Sequence, residues 1–158
     1  MSSETSRFLS RANEGDTTYL ANGSLMTWKA TAETTEGKYD QFESVDLPHS
    51  GPPEHTHAQQ DELFYILEGT YRFKVGGTMI TASPGDLVHV PARTPHAWQR
   101  SGHDAGRMLT TFVPGGIRGF FEEVRPLFLA AEMDFPAAME IGAKYGLVIT
   151  GPPLAEDE

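Results

Sequence analysis

The sequence predicts an all-β fold, a sandwich or barrel, followed by short helices. Three observations carry this expectation. Sixteen Gly and 11 Pro among 158 residues supply turn formers in excess of the ordinary share, which suits a fold of many short elements. Apolar and polar residues alternate with period two through the middle of the chain. Short apolar runs recur between turn signals, about eight or nine of them at regular spacing.

In chain order, residues 1–16 are rich in Ser, Thr and other small polar types and read as a flexible N-terminal arm. The barrel core is expected over 17–114. Leu25–Ala32 and Tyr39–Leu47 read as strands about a polar turn containing Gly37. His49-Ser50-Gly51-Pro52-Pro53 excludes a helix. Leu63–Leu67 is a short buried strand. After Gly69, Tyr71, Phe73 and Val75 alternate with Thr70, Arg72 and Lys74, the pattern of a half-buried strand. Gly76-Gly77 turns the chain into Thr78–Thr81. Ser83-Pro84-Gly85-Asp86 has Pro and Gly where a type II turn wants them. Leu87–Val90, Ala97–Arg100 and Arg107–Val113 add three strands.

Residues 115–158 are expected to form C-terminal helices and a tail that pack on the barrel. Past Gly115-Gly116 the period changes, and Phe120, Phe121, Val124, Leu127 and Phe128 form a helical apolar stripe broken near Pro126. That stripe reads as core or dimer packing rather than a ligand groove. Pro136 opens a second helix over Ala137–Tyr145, with Gly146 as its C-cap. Leu147–Thr150 is an expected edge strand, and the acidic tail Ala155–Glu158 is expected to be solvated. No repeat or second domain is visible.

Composition excludes several function classes. Twelve Lys+Arg against 22 Asp+Glu leave a net charge of −10, which opposes broad contact with nucleic-acid phosphates or anionic membranes. The absence of Cys removes disulfides, thiolate metal sites and cysteine nucleophiles. The longest apolar runs, Leu63–Leu67 and Leu127–Ala131, fall far short of the roughly 20 residues that span a bilayer. Met1–Arg7 has no apolar segment of the signal-peptide kind. A cytoplasmic protein is expected.

The chemistry concentrates in one segment. His55 and His57 stand at i and i+2, which on a strand project from one face. Glu62 follows five residues later, and His96 opens another strand after Pro95. Three imidazole nitrogens and a carboxylate suit one divalent first-row ion, Fe, Mn, Ni, Co, Cu or Zn. Four protein ligands leave positions open for substrate or dioxygen. The other candidates have plainer readings. Glu54 should point away from His55. His49 and His103 fall in loops and read as solvated. His89 shares the parity of Leu87 and reads as a satisfied structural histidine. Glu122 and Glu123 belong on the polar face of a helix.

The spacing around these residues resembles a known family. His55-x-His57, four residues, Glu62, six residues, Gly69 resembles the first cupin motif; Gly85, five residues, Pro91, then His96 resembles the second. The resemblance implies a jelly-roll β-barrel with the metal on His55, His57, Glu62 and His96, and it implies a homodimer. Three positions depart from the pattern. Arg93 stands where the family has a glycine, so a backbone angle open to any residue is expected there. Arg100 replaces an asparagine four residues after the last histidine. Gly51 lies only four residues before His55.

Parity extends the reading. If Glu62 faces the metal, so do Phe64 and Ile66; if His96 does, so does Trp98, with Arg100 at the mouth. Phe64, Ile66 and Trp98 are therefore expected in a substrate pocket suited to a small apolar or aromatic molecule, or else as simple barrel filling. Pro52–His57, Asp61–Tyr65, Gly115–Glu122 and Tyr145-Gly146 with Gly151–Pro153 resemble bacterial quercetin-dioxygenase-like cupins. That resemblance implies cleavage of a flavonol or related enol with dioxygen, Glu62 serving as ligand and base. The alternatives are a non-catalytic ligand binder or sensor, and a metal-dependent isomerase or lyase.

Overall fold

In the computed structural model, which describes residues 8–19, 24–130 and 132–156, the turn formers punctuate eleven strands and two helices. The strands are β1 (Thr17–Tyr19), β2 (Leu25–Ala30), β3 (Asp40–Asp46), β4 (Pro53–His57), β5 (Asp61–Glu68), β6 (Thr70–Val75), β7 (Thr78–Ala82), β8 (Leu87–Val90), β9 (His96–Ser101), β10 (Gly106–Val113) and β11 (Leu147–Pro153). The helices, α1 (Arg118–Phe128) and α2 (Phe135–Lys144), lie between β10 and β11. Residues 1–7 of the expected arm, Ala131 and the last two residues of the tail lie outside the described residues.

Two antiparallel sheets form the jelly roll. One runs β1-β2-β3-β10-β5-β8, the other β11-β4-β9-β6-β7. Inward residues alternate along each strand, as in β10, where Gly106, Met108, Thr110 and Phe112 are buried. One core cluster fills the barrel with Phe64, Ile66, Tyr71, Phe73, Val88 and Met108 among others. A second joins β2, β3 and β10 to α1 through Met26, Trp28, Phe42, Phe112, Ile117 and Val124. Arg11 and Glu14, in the described part of the arm, accept hydrogen bonds at their carbonyls from Lys29 Nζ, at 2.7 and 2.8 Å.

Several local expectations change. The second helix starts at Phe135, not Ala137, because Asp134 caps it by accepting a hydrogen bond from the Ala137 N–H at 3.0 Å. Tyr145 is its C-cap residue. The edge strand runs on to Pro153 along β4. Arg93 has φ of 65°, a left-handed angle that is not open to any residue as expected but favours glycine and costs an arginine energy. The loop enforces it: the Arg93 N–H donates to the His57 carbonyl at 2.7 Å.

Arg100 is not at the mouth. It is buried beyond the core, donating to the Thr70 carbonyl at 3.1 Å and lying 5.9 Å from the Tyr71 ring centre. Close by, Asp46 accepts hydrogen bonds from Ser24, Ser44 and Tyr71 at 2.6, 2.9 and 2.6 Å. Burial pushes the Asp46 carboxyl above its ordinary range, against those three bonds, and pushes the Tyr71 hydroxyl up as well. Register explains the displacement: Arg100 lies opposite Tyr71, and His96 opposite Val75, four residues along the same ladder. Four residues of strand are about 13 Å, nearly the height of the barrel.

Candidate metal centre and cavity

Three strands bring the four ligand candidates together. β4 carries His55 and His57 inward at i and i+2, β5 carries Glu62, and β9 begins at His96, which pairs directly with His55. All four are buried, and one ligand atom from each lies within 4.8 Å of the others. That separation is close enough for small side-chain movements to bring them onto one ion. His96 Nε2 is 2.8 Å from Glu62 Oε2, and His57 Nε2 is 3.3 Å from the same oxygen.

The surroundings aim the imidazoles. His55 Nδ1 donates to the Pro53 carbonyl at 2.8 Å, and His96 Nδ1 to the Thr94 carbonyl at 2.9 Å. Each bond turns the other nitrogen, Nε2, toward the cluster, the arrangement that backbone carbonyls impose on metal-binding histidines. The loop before β9 is tied on both sides. Arg93 bonds β4 as above, and the Ala92 N–H donates to Asp61 Oδ1 at 2.9 Å, beside Glu62. That bond, followed by one with His89, holds the Asp61 carboxyl below its ordinary range.

The electrostatics favour a cation among these groups. Burial would raise the Glu62 carboxyl, but contacts with His57 and His96 outweigh it and hold the group well below the usual carboxylate range. Burial likewise opposes charge on His96, and the Glu62 carboxylate outweighs it and raises that imidazole's pKa. Burial takes His55 the other way, down to about 3, with the His96 charge adding to the effect. Both His57 ring nitrogens are buried without a well-formed hydrogen bond, Nε2 having only its 3.3 Å approach to Glu62 Oε2. Unpaired buried nitrogens are costly. An ion liganded at Nε2 resolves one of them, so the donor set and its orphaned nitrogen fit a divalent metal.

Beside the cluster lies a cavity of about 340 Å³. His55, His57 and Glu62 border it at one end, and Phe64 and Trp98 line its wall. Ile66 does not border it; this residue is fully buried in the barrel core, two residues deeper than Phe64. Sequence parity missed Phe42, Met108, Thr110 and Phe112, which also border the cavity. The last three alternate on β10, so the same parity argument applied to that strand would have found them.

The α1 stripe is corrected. Phe120 and Phe121 do pack on the second core cluster, but both also line the cavity, with Phe135 of α2 and Ile149 of β11 at its rim. A helical stripe carries no sign of which sheet it will lie against, and here it closes the open side of the barrel. The remaining candidates behave as solvated or structural groups. His49 and His103 are exposed. His89 is on the outer face, 3.1 Å from Asp61 Oδ2. Glu54 points away from the cluster and accepts from the Thr150 hydroxyl at 3.0 Å. Glu122 and Glu123 are exposed on α1.

Fold and site together define a class: the chain carries a cupin domain, residues 43–112 matching the family model for it. A curated likeness is more particular. Over 114 residues the chain is 31% identical to quercetin 2,3-dioxygenase of Bacillus subtilis, a match that takes in 72% of this chain and 33% of that enzyme. The chain thus spans about a third of that relative's length. Among solved structures it resembles KdgF from Halomonas sp., with a TM-score of 0.61 at 18% identity over 69% of this chain and 94% of that one. It also resembles a Thermotoga maritima protein described as a predicted oxalate decarboxylase, with a TM-score of 0.64 at 19% identity over 68% and 99%. These two likenesses establish the barrel fold. No helix among the described residues is long and apolar enough to cross a membrane.

Proposed function

We propose that this protein is a metal-dependent dioxygenase acting on a small aromatic enol of the flavonol kind. The observation that carries the reading is the pairing of the His55, His57, Glu62 and His96 cluster with a cavity whose wall is otherwise almost wholly apolar. Apart from Glu62, no Asp, Glu, Lys or Arg among the described residues borders that cavity. A sugar phosphate or a dicarboxylate would have no cationic side chain to meet there, and any charge held away from the ion would be desolvated without compensation. An aromatic body gains from burial against Phe42, Phe64 and Trp98. The similarity to quercetin 2,3-dioxygenase supports the same reading.

A redox-capable divalent ion on the four ligands would supply Lewis acidity and a site for dioxygen chemistry. The chain's own residues do the rest. Glu62 is ionised at any working pH and stands ready to accept the proton of an enolic hydroxyl. Its low proton affinity makes it a weak base, so the proton moves only toward a hydroxyl acidified by its surroundings. Phe64, Trp98 and Phe121 hold the ring system and exclude water. His55 and His96 keep their orientation through the Pro53 and Thr94 carbonyls.

The test is metal analysis by mass spectrometry of wild type, His57→Ala and His96→Ala, followed by oxygen uptake with flavonols after loading each first-row ion. Near-stoichiometric metal lost in both variants, with uptake in the wild type, supports the reading. Tightly held zinc with no uptake points to the isomerase or lyase alternative, and a site that takes no ion points to a non-catalytic binder. The homodimer implied by the family is also a proposal: Tyr65 and Leu87, paired on the outer face of the six-stranded sheet, are exposed. A monomeric mass in light scattering at micromolar concentration would refute it.

A further inference from the structure

Thr110 is fully buried at the centre of β10, and its Oγ1 has no hydrogen-bond partner. It borders the cavity. Its ladder neighbours are Phe42 on β3 and Phe64 on β5, which border the cavity too. A hydroxyl therefore interrupts an aromatic row. Valine has nearly the same shape and would fill that place without burying an unpaired polar atom. A staggered rotation about χ1 exchanges the hydroxyl and the methyl within the same envelope.

Its position relative to the metal ligands gives the hydroxyl a use. On the strand next to it, Glu62 lies opposite Phe112, two residues along from Thr110. Two residues of strand are about 7 Å, the span of one ring system laid along the barrel. A molecule with one oxygen at the cluster and its rings against Phe42, Phe64 and Trp98 brings a second polar atom to Thr110. Among the described residues no charged side chain borders this part of the cavity, so that second atom belongs to an uncharged group, a phenol hydroxyl.

We propose that the Thr110 hydroxyl is a specificity-determining contact, hydrogen-bonding a second, uncharged oxygen of an aromatic ligand whose first oxygen lies at the His–Glu cluster. The proposal rests on the flavonol-type reading above and adds to it a residue and a required functional group.

The test uses two probes with the same chelating 3-hydroxy-4-ketone: quercetin, which carries further hydroxyls, and 3-hydroxyflavone, which lacks them. Binding to metal-loaded protein without oxygen is followed by quenching of tryptophan fluorescence, since Trp98 lines the cavity. Thr110→Val should weaken quercetin about tenfold and leave 3-hydroxyflavone unchanged. Thr110→Ser should keep the wild-type preference. The free Thr110→Val protein should melt no lower than wild type, which separates loss of a contact from loss of the fold. If Thr110→Val changes melting but not the preference between the two probes, the hydroxyl is structural and the proposal is overturned while the flavonol reading stands. If the wild type binds neither probe, both fail.

Discussion

Lowering the pH of the metal-free protein from 6.5 to 5.0 should cost it about 2 kcal/mol through His55. Burial takes this imidazole from its ordinary 6.5 down to about 3. Between those values the unfolded chain binds a proton there and the native chain does not. Stability is thus intact above 6.5 and falls as the pH falls toward 3. Over 1.5 pH units at about 1.4 kcal/mol each, the loss is about 2 kcal/mol. The window is chosen so that its neighbours stay silent. Glu62 lies below its ordinary 4.5, so its contribution is intact above 4.5. His96 lies above its ordinary 6.5, so its contribution is fully present below 6.5. Asp46, raised by burial, shifts stability in the opposite sense, and a paired variant cancels it. The assay is urea denaturation in chelator at both pH values for wild type and His55→Asn. The wild type should lose about 2 kcal/mol more than the variant. Equal losses, or an NMR titration of His55 with a midpoint near its ordinary value, would refute the assignment of a dry, neutral imidazole.

Four further outcomes follow from the same geometry. Glu62→Gln removes the cluster's only anion, so metal content by mass spectrometry should drop by tenfold or more, and the His96 titration midpoint should fall. Arg93→Gly relieves a left-handed residue at φ 65° and should raise urea stability by up to about 1 kcal/mol, the strain relieved exceeding the added freedom of the unfolded chain. Gly69→Ala should cost about 2 kcal/mol by the same assay, since φ there is +80° and a Cβ would lie 2.7 Å from Arg100 Nε. Tyr71→Phe leaves Asp46 one donor short and should also cost about 2 kcal/mol.

Much of the architecture was legible because strand periodicity and turn chemistry are local. The alternation Tyr71, Phe73, Val75 and the turn at Gly76-Gly77 gave β6 and β7 almost to the residue. β1 was not legible: three residues, Thr17–Tyr19, carry too little pattern and are a strand only because β2 pairs with them. The cluster was legible because its spacing is set by strand geometry, two histidines on one face and a carboxylate on the next strand. The cavity was only partly so. Trp98 and Phe64 followed from parity with the ligands, whereas Ile66 shares that parity yet lies too deep in the barrel to reach the cavity.

The sequence alone determined the strand periodicity, the helical C-terminal segment, the four ligand candidates and the lack of thiolate chemistry. Each of these depends on residue type and on separations of a few positions. Tertiary structure decided what long-range packing decides. It placed Phe120 and Phe121 against the open side of the barrel, sent Arg100 to the end opposite the metal ligands, and held Arg93 in a left-handed turn through its bond to His57. It also left Thr110 as an unpaired hydroxyl between two aromatic rings. Whether a side chain fills a core, closes a cavity or faces one depends on which distant strand lies opposite, and a single strand's pattern does not contain that pairing.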